Sequence, residues 1–386
     1  MDGHAKERYL TVSVALFNNK GGVGKTTLTY HLAYMMQRLG QRVLAVDFDP
    51  QSNLTAEFLD EDDLQVLWHE PESPAWYEPQ KKLFNQSRYF DTNPGTVASA
   101  VQPIMDGLGD VQLYDPVEIL DGLWLVPGDL ELSSFEDRLS DAWPRGFTGT
   151  DLAAIRTTTA FHRIVDHAAS VVGADIVLMD VGPNLGAINR SALLAADTVL
   201  MPLAADLFSL RGLRNLGPTL REWRSSWQDL VLPKVPLGIS APQGTMKPLG
   251  YVIMQPTMRL DRPVKAYRRW LDRIPSVFST AVLGHDDFYP SDRSYEIATL
   301  KNYQSLMPLA HDARKPMFDL RSADGAIGST QKYVQRCYQD FEDLSINLLN
   351  RLGVEVLRHR PACLHAGHLT VYNVYNGRRV MGVRPL

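Results

Sequence analysis

Apolar residues recur along this chain in two spacings. Short, mostly apolar runs at residues 10–16, 43–47, 123–126, 176–180, 198–202 and 251–254 read as buried strands. Between them, residues 28–39, 96–105, 130–139, 151–172, the stretch opening at Leu207 and residues 330–352 carry apolar positions at helical spacing. Gly40 and Gly353 stand where helix stops belong. Strands alternating with helices predict an α/β fold, a mostly parallel doubly wound sheet with helices on both faces. The pattern fails between 59 and about 93. There Asp60-Glu61-Asp62-Asp63 is followed by Pro71, Pro74 and Pro79, with Trp68, Trp76 and Tyr77 interspersed. This insert reads either as a surface excursion whose aromatics pack back on the core or as a partner-docking surface. Residues 142–146, containing Pro144, read as a loop. The expected organisation is one domain over 1–353 carrying the insert, then a basic extension over 354–386.

The chemistry gathers where strands end. Between the first strand and first helix lies Phe17-Asn18-Asn19-Lys20-Gly21-Gly22-Val23-Gly24-Lys25-Thr26-Thr27. Strand, glycine-rich turn and helix is the context of a phosphate loop: the glycines let backbone N–H groups turn inward around phosphate oxygens, and the helix N-terminus adds its dipole. Lys25 can reach the β- and γ-phosphates, and the Thr26 hydroxyl is placed for Mg²⁺. Asn19 departs from the general pattern, which has glycine there. The second strand ends in Asp47-Phe48-Asp49-Pro50-Gln51, two carboxylates that suit Mg²⁺ and a water held against a γ-phosphate. Another apolar strand ends in Asp180, the Walker B arrangement, and Val181–Gly186 after it is a candidate γ-phosphate sensor.

Lys20 in K-G-G-V-G-K-T-T resembles the deviant Walker A box of the ParA/MinD family of ATPases, and D-x-D-P-Q-x-N-L-T resembles that family's second motif. The likeness covers most of 10–353. It implies an ATP cradle of Asn19, Gly21, Gly22, Val23, Gly24, Lys25, Thr26 and Thr27, with Mg²⁺ near Thr26, Asp47 and Asp180. It further implies that Asp49 orients the attacking water, and that Lys20 reaches across a face-to-face homodimer to the partner's phosphates. Residues 297–308 stand where the family closes a loop over adenine, which nominates Asn302. The activity implied is Mg-dependent ATP hydrolysis by a dimerising switch. One reading is a partition or positioning ATPase that binds DNA non-specifically and is stimulated by a partner protein. The alternative is a regulatory ATPase governing a protein assembly without a DNA role. A metabolic relative fits less well, and an iron–sulfur branch is disfavoured because no cysteine lies between the Walker motifs.

Composition narrows this picture in a few places. The 386 residues carry a formal net charge of −5, so nucleic-acid contact requires a local patch. Arg259, Arg262, Lys265, Arg268, Arg269 and Arg273 supply one candidate, a phosphate-contacting stripe or a merely solvated face. Arg211 and Arg214 fall where the family has its dimer face, again interface or solvated. Cys337 and Cys363 imply no disulfide framework, and the loose group His359, Cys363, His365 and His368 fits no zinc spacing. His162 and His167 read as ordinary helix residues. No apolar run is long enough for a membrane span and no signal-peptide pattern precedes the first strand, so a cytoplasmic protein without membrane partners is expected. Residues 369–377 read as strand then turn.

Overall fold

The computed structural model describes residues 11–68, 94–254, 264–301, 303, 305–356 and the short strands 374–375 and 378–379. Its centre is an eight-stranded sheet in the order β3-β4-β2-β5-β1-β6-β7-β8. The strands are β1 (Val12–Leu16), β2 (Val43–Asp47), β3 (Val117–Leu120), β4 (Leu123–Val126), β5 (Ile176–Asp180), β6 (Thr198–Ala204), β7 (Lys247–Met254) and β8 (Glu296–Leu300). All neighbours pair parallel except β3 and β4, which form an antiparallel hairpin at one edge.

Alternation along each strand divides the core into two layers. Ala15, Leu44, Val46, Val177 and Met179 face one side, beneath α4 (Val97–Met105), α5 (Phe135–Gly146), α7 (Ala160–Val172), α8 (Ala187–Ala195) and α9 (Leu207–Ser225). Val14, Leu16, Val43, Ala45 and Leu178 face the other, beneath α1 (Lys25–Arg38), α2 (Asn53–Phe58), α3 (Glu61–Leu67), α12 (Met307–Ala313) and α13 (Ser329–Leu352). The remaining helices are α6 (Leu152–Thr158), α10 (Val264–Leu271) and α11 (Ile274–Val277). The doubly wound sheet expected from the sequence is the one observed.

Several local expectations change. The acidic run at 60–63 does not begin a patternless insert: Asp60 accepts from Asp63 N and caps α3, whose first turn holds the other acids. Carboxylates at a helix N-terminus are stabilising, so the run opens a helix. Residues 142–146 are helical, because Pro144 comes late in α5. The helix expected over 151–172 breaks at Thr159 into α6 and α7, with the Thr158 and Thr159 hydroxyls turned back onto Ala154 and Ile155 carbonyls. The segment 130–139 opens as a 3-10 turn over Leu130–Ser134. Residues 69–93 and most of the tail lie outside the described residues, with Trp76, Tyr77 and the His359–His368 group among them. In the tail, Val374–Tyr375 pairs antiparallel with Arg378–Arg379, while the rest of the strand and turn expected over 369–377 lies outside the described residues. Among the described residues no helix is long and apolar enough to cross a membrane.

Candidate active site

The parallel strands β1, β2 and β5 bring their carboxyl ends side by side, with Leu16 and Asp47 both in register with Asp180. Ligand groups collect at this edge of an open α/β sheet. From β1 the chain turns through Asn18 and Asn19 into the glycines. Gly22 and Gly24 hold φ values of 70° and 89°, which L side chains rarely adopt, and Gly24 precedes α1. A Cβ built on Gly21 or Gly22 would meet open space, so both backbones are free on the cradle side. Asn18 anchors the loop to the neighbouring strand: its Nδ2 donates to Pro202 O at 2.7 Å and its Oδ1 accepts from Lys20 N at 3.1 Å.

Lys25 is buried and donates to Asn18 O at 3.3 Å across the loop. Burial pushes its ammonium pKa down, with Asp180 and Asp49 opposing. Thr26 Oγ1 donates to Asp180 Oδ2 at 2.6 Å. The other oxygen, Asp180 Oδ1, is buried without a hydrogen-bond partner. A buried bare carboxylate oxygen is costly, so such an atom marks a place where a ligand is expected. Burial raises the Asp180 carboxyl above the usual range, against the opposing pull of Thr26 and Lys25. Asp47 is also raised, first by burial and then by Asp180. A divalent cation would relieve both. The donor set therefore fits Mg-ATP: a free glycine cradle, a lysine, a threonine hydroxyl and a carboxylate with an oxygen to spare. Among the described residues no group of three or more His, Cys, Asp or Glu side chains is placed to hold a metal by itself.

The two aspartates of the second motif are placed differently. Asp47 Oδ2 accepts from Thr55 N and Thr55 Oγ1, both at 2.8 Å, and its Oδ1 accepts from Asp49 N at 3.2 Å. Its carboxyl therefore already organises the turn into α2, beside Asp180. Thr55 Oγ1 in turn accepts from Gly128 N at 2.8 Å, and a Cβ on Gly128 would lie 2.9 Å from Asp47 Cγ. Asp49 Oδ1 accepts from the nearby Gln51 N at 3.0 Å and looks onto the loop after β5, where a Cβ on Gly182 would come 3.4 Å from it.

That loop is pinned from two helices. Asn189 of α8 donates through Nδ2 to Gly182 O at 3.0 Å and to Asn184 O at 2.8 Å. Glu136 of α5 accepts from Ala187 N at 2.6 Å and Ile188 N at 2.9 Å, capping α8 from outside its own chain segment. Lys20 lies at the rim, its Nζ 2.5 Å from Asp206 Oδ2, and Asp206 also accepts from Ser209 N to cap α9. Burial alone would raise Asp206; the Lys20 and Ser209 hydrogen bonds outweigh it and hold its carboxyl below the usual range. Asn19 fills the position of the absent glycine by lying over α9 at Gly212, where a Cβ would come 2.6 Å from Asn19 Oδ1.

A family model described as an AAA domain matches residues 11–231. The chain belongs to the ParA/MinD-like AAA-domain family. It is 29% identical over 212 residues to the chromosome-partitioning ATPase Soj of Thermus thermophilus, covering 55% of this chain and 62% of that protein. The chain spans about half the length of several curated relatives it matches. Protein DIP2308 of Corynebacterium diphtheriae has a similar fold, with a TM-score of 0.61 at 21% identity, covering 89% of this chain and 99% of that one. McdA of Cyanothece, solved as an aspartate-to-alanine variant with ATP, gives 0.54 at 16% identity over 90% of this chain and 99% of that one.

The sequence nominations converge unevenly. Lys20, Lys25, Thr26, Asp47, Asp49 and Asp180 come together around the loop. Asn302, Arg259 and Arg262 lie outside the described residues, as does the side chain of Lys265; Arg268 and Arg269 are exposed at the end of α10. Arg211 and Arg214 are exposed on α9. His162 and His167 meet Ser240 and Asp115, ordinary surface partners. Sequence reasoning missed Asn18, Glu136, Asn189 and Asp206. Only Asp206 carried a local signal, an acid three residues before Ser209 at a helix start.

Proposed function

We propose that this chain is a nucleotide-operated dimerising switch that binds Mg-ATP at the Gly21–Thr27 cradle and hydrolyses it. The observation that carries this reading is the Thr26–Asp180 pair, with Asp180 Oδ1 bare beneath a glycine cradle and Asp49 across the site. When bound, Mg²⁺ would screen the phosphate charge. Thr26 and Asp180 would hold it, with Asp47 fixing the turn alongside. Lys25 would meet the β- and γ-phosphates and Asp49 would orient water at the γ-phosphate. Lys20 would leave Asp206 and reach the phosphates of a second copy, offsetting repulsion between two nucleotides held close together. Chromosome partitioning by a relative supports a partition or positioning role, with the ATP-bound dimer on non-specific DNA and a partner protein stimulating hydrolysis.

Size exclusion tests the switch. Asp49→Ala with ATP should run as a dimer, and Lys20→Ala should abolish turnover; an Asp49→Ala protein that stays monomeric with ATP would sink the reading. Binding to random-sequence duplex, compared with ATP and ADP across a salt series, tests the DNA role. The net charge of −5 favours the regulatory alternative if no ATP-enhanced binding is seen at low salt.

A further inference from the structure

Far from the phosphate loop, a groove of about 800 Å³ opens between the C-terminal half of α1, the segment after α12 and one face of α13. Tyr34, Phe318 and Tyr338 contribute aromatic surface to it. Arg38, Arg314, Lys315 and Arg321 line it against the single carboxylate of Asp319. Part of that charge is paired: Arg38 donates to both Asp319 oxygens at 2.8 Å while lying over Phe318, and Lys315 meets Asp324 at 2.8 Å. Arg314 donates to Leu59 O at 2.8 Å and lies near the Glu57 carboxylate, and Arg321 is exposed at the rim. Gln331, Gln335 and Gln339 follow at four-residue spacing along α13, a row of about 12 Å. Gln331 Oε1 is buried and accepts no hydrogen bond.

We propose that this groove docks an acidic, aromatic- or leucine-bearing peptide segment of a partner protein. Four cations against the carboxylates of Asp319, Asp324 and Glu57 leave a small positive excess that favours an acidic occupant, and the aromatic surface gives an apolar side chain somewhere to go. The glutamine row separates a peptide from a free anion. The row is about 12 Å long, more than a single phosphate can span, whereas an extended peptide backbone offers N–H and C=O groups to successive carboxamides along it. Duplex DNA is disfavoured by shape: the site is concave and half apolar, and two of its cations already hold carboxylates. The groove is also tied to the phosphate loop. Met317 N donates to His31 Nε2 at 3.0 Å, and His31 Nδ1 donates to Thr27 O at 2.7 Å, in the first turn of α1. Docking here would thus address the helix that carries Lys25 and Thr26. In that respect it deepens the proposed stimulation by a partner, and rests on it.

Phage-displayed random dodecapeptides, panned on the full chain and counter-selected on an Arg321→Glu/Gln335→Glu variant, test the site without nucleotide. Both substituted residues are exposed, and a thermal melt checks that the variant folds. Selected peptides should be acidic with an aromatic residue or leucine, and should bind the variant about tenfold more weakly by fluorescence anisotropy. Gln331→Leu should weaken them as well. No enrichment, neutral or basic sequences, or equal affinity for the variant would overturn the proposal. So would displacement of the peptide by inorganic phosphate or by random-sequence duplex, which would make the groove an anion or nucleic-acid site. ATP turnover enters none of these readouts, so failure of the switch reading remains a separate result.

Discussion

Lys20 Nζ sits 2.5 Å from Asp206 Oδ2, so the lysine that distinguishes this loop is held within its own chain. Both side chains are about one-third exposed, and Phe208 lies 5.8 Å from the ammonium. A contact of this kind is weak in water and can be exchanged for a better anion. Asp206→Asn keeps a good cap for α9 and removes the charge. ATP-dependent dimers should then appear at several-fold lower protein concentration in sedimentation velocity. An unchanged concentration dependence would mean that Asp206 does not restrain Lys20.

Gly212→Ala separates stability from nucleotide affinity. The added Cβ would meet the end of the Asn19 side chain, which can rotate away, while alanine suits a helix better than glycine by up to about 1 kcal/mol. The melting temperature should hold or rise. Rotation of Asn19 displaces the residue beside Lys20, so affinity for a fluorescent ATP analogue should fall by about tenfold.

Thr26→Ala leaves Asp180 Oδ2 without its hydroxyl donor, and Asp180→Asn removes the carboxylate. Each should abolish the Mg²⁺ enhancement of ATP-analogue binding, a loss of about 1–3 kcal/mol, with smaller effects in EDTA. Titrations with and without Mg²⁺ read this directly. An equal loss in both conditions would point to a packing defect.

His31 makes stability depend on pH. Its ring is fully buried, stacks on Phe341 at 5.0 Å, and is pushed down to about 4 by burial, against the Thr27 hydrogen bond. The folded state keeps it neutral, whereas the unfolded chain protonates it below about pH 6.5. The contribution is therefore complete above that pH and is lost as pH falls toward about 4, amounting to about 3 kcal/mol. His31→Leu should flatten this part of the stability profile in urea titrations. At neutral pH it should cost about 1–3 kcal/mol, because Met317 N loses its acceptor.

The elements legible in the sequence were those whose signal is local. β1, β2 and β5 are continuous apolar runs ending at the loop or in an acid, and Gly353 stops α13 in the left-handed conformation it favours. What escaped depends on partners remote in sequence. The break at Thr159 is invisible to periodicity because α6 and α7 keep nearly the same apolar phase. Pro144 looked like a breaker, yet α5 tolerates it near its C-terminal end, and β3 is a strand by virtue of pairing with β4. Glu136 acts on a helix start 51 residues away, which it reaches only through tertiary packing, so no spacing rule could nominate it.

α9 meets the phosphate loop at both Asp206 and Gly212, buries Leu210, Leu213, Leu216 and Leu220, and runs on to Trp223 and, one turn further, Trp227. Trp227 in turn is stacked with Trp143, 6.4 Å away, and donates to Pro242 O. A shift of the loop at one end of this helix would be carried toward the cluster of indoles at the other. Ultraviolet emission from these indoles would then report occupancy of the proposed nucleotide site without any attached label.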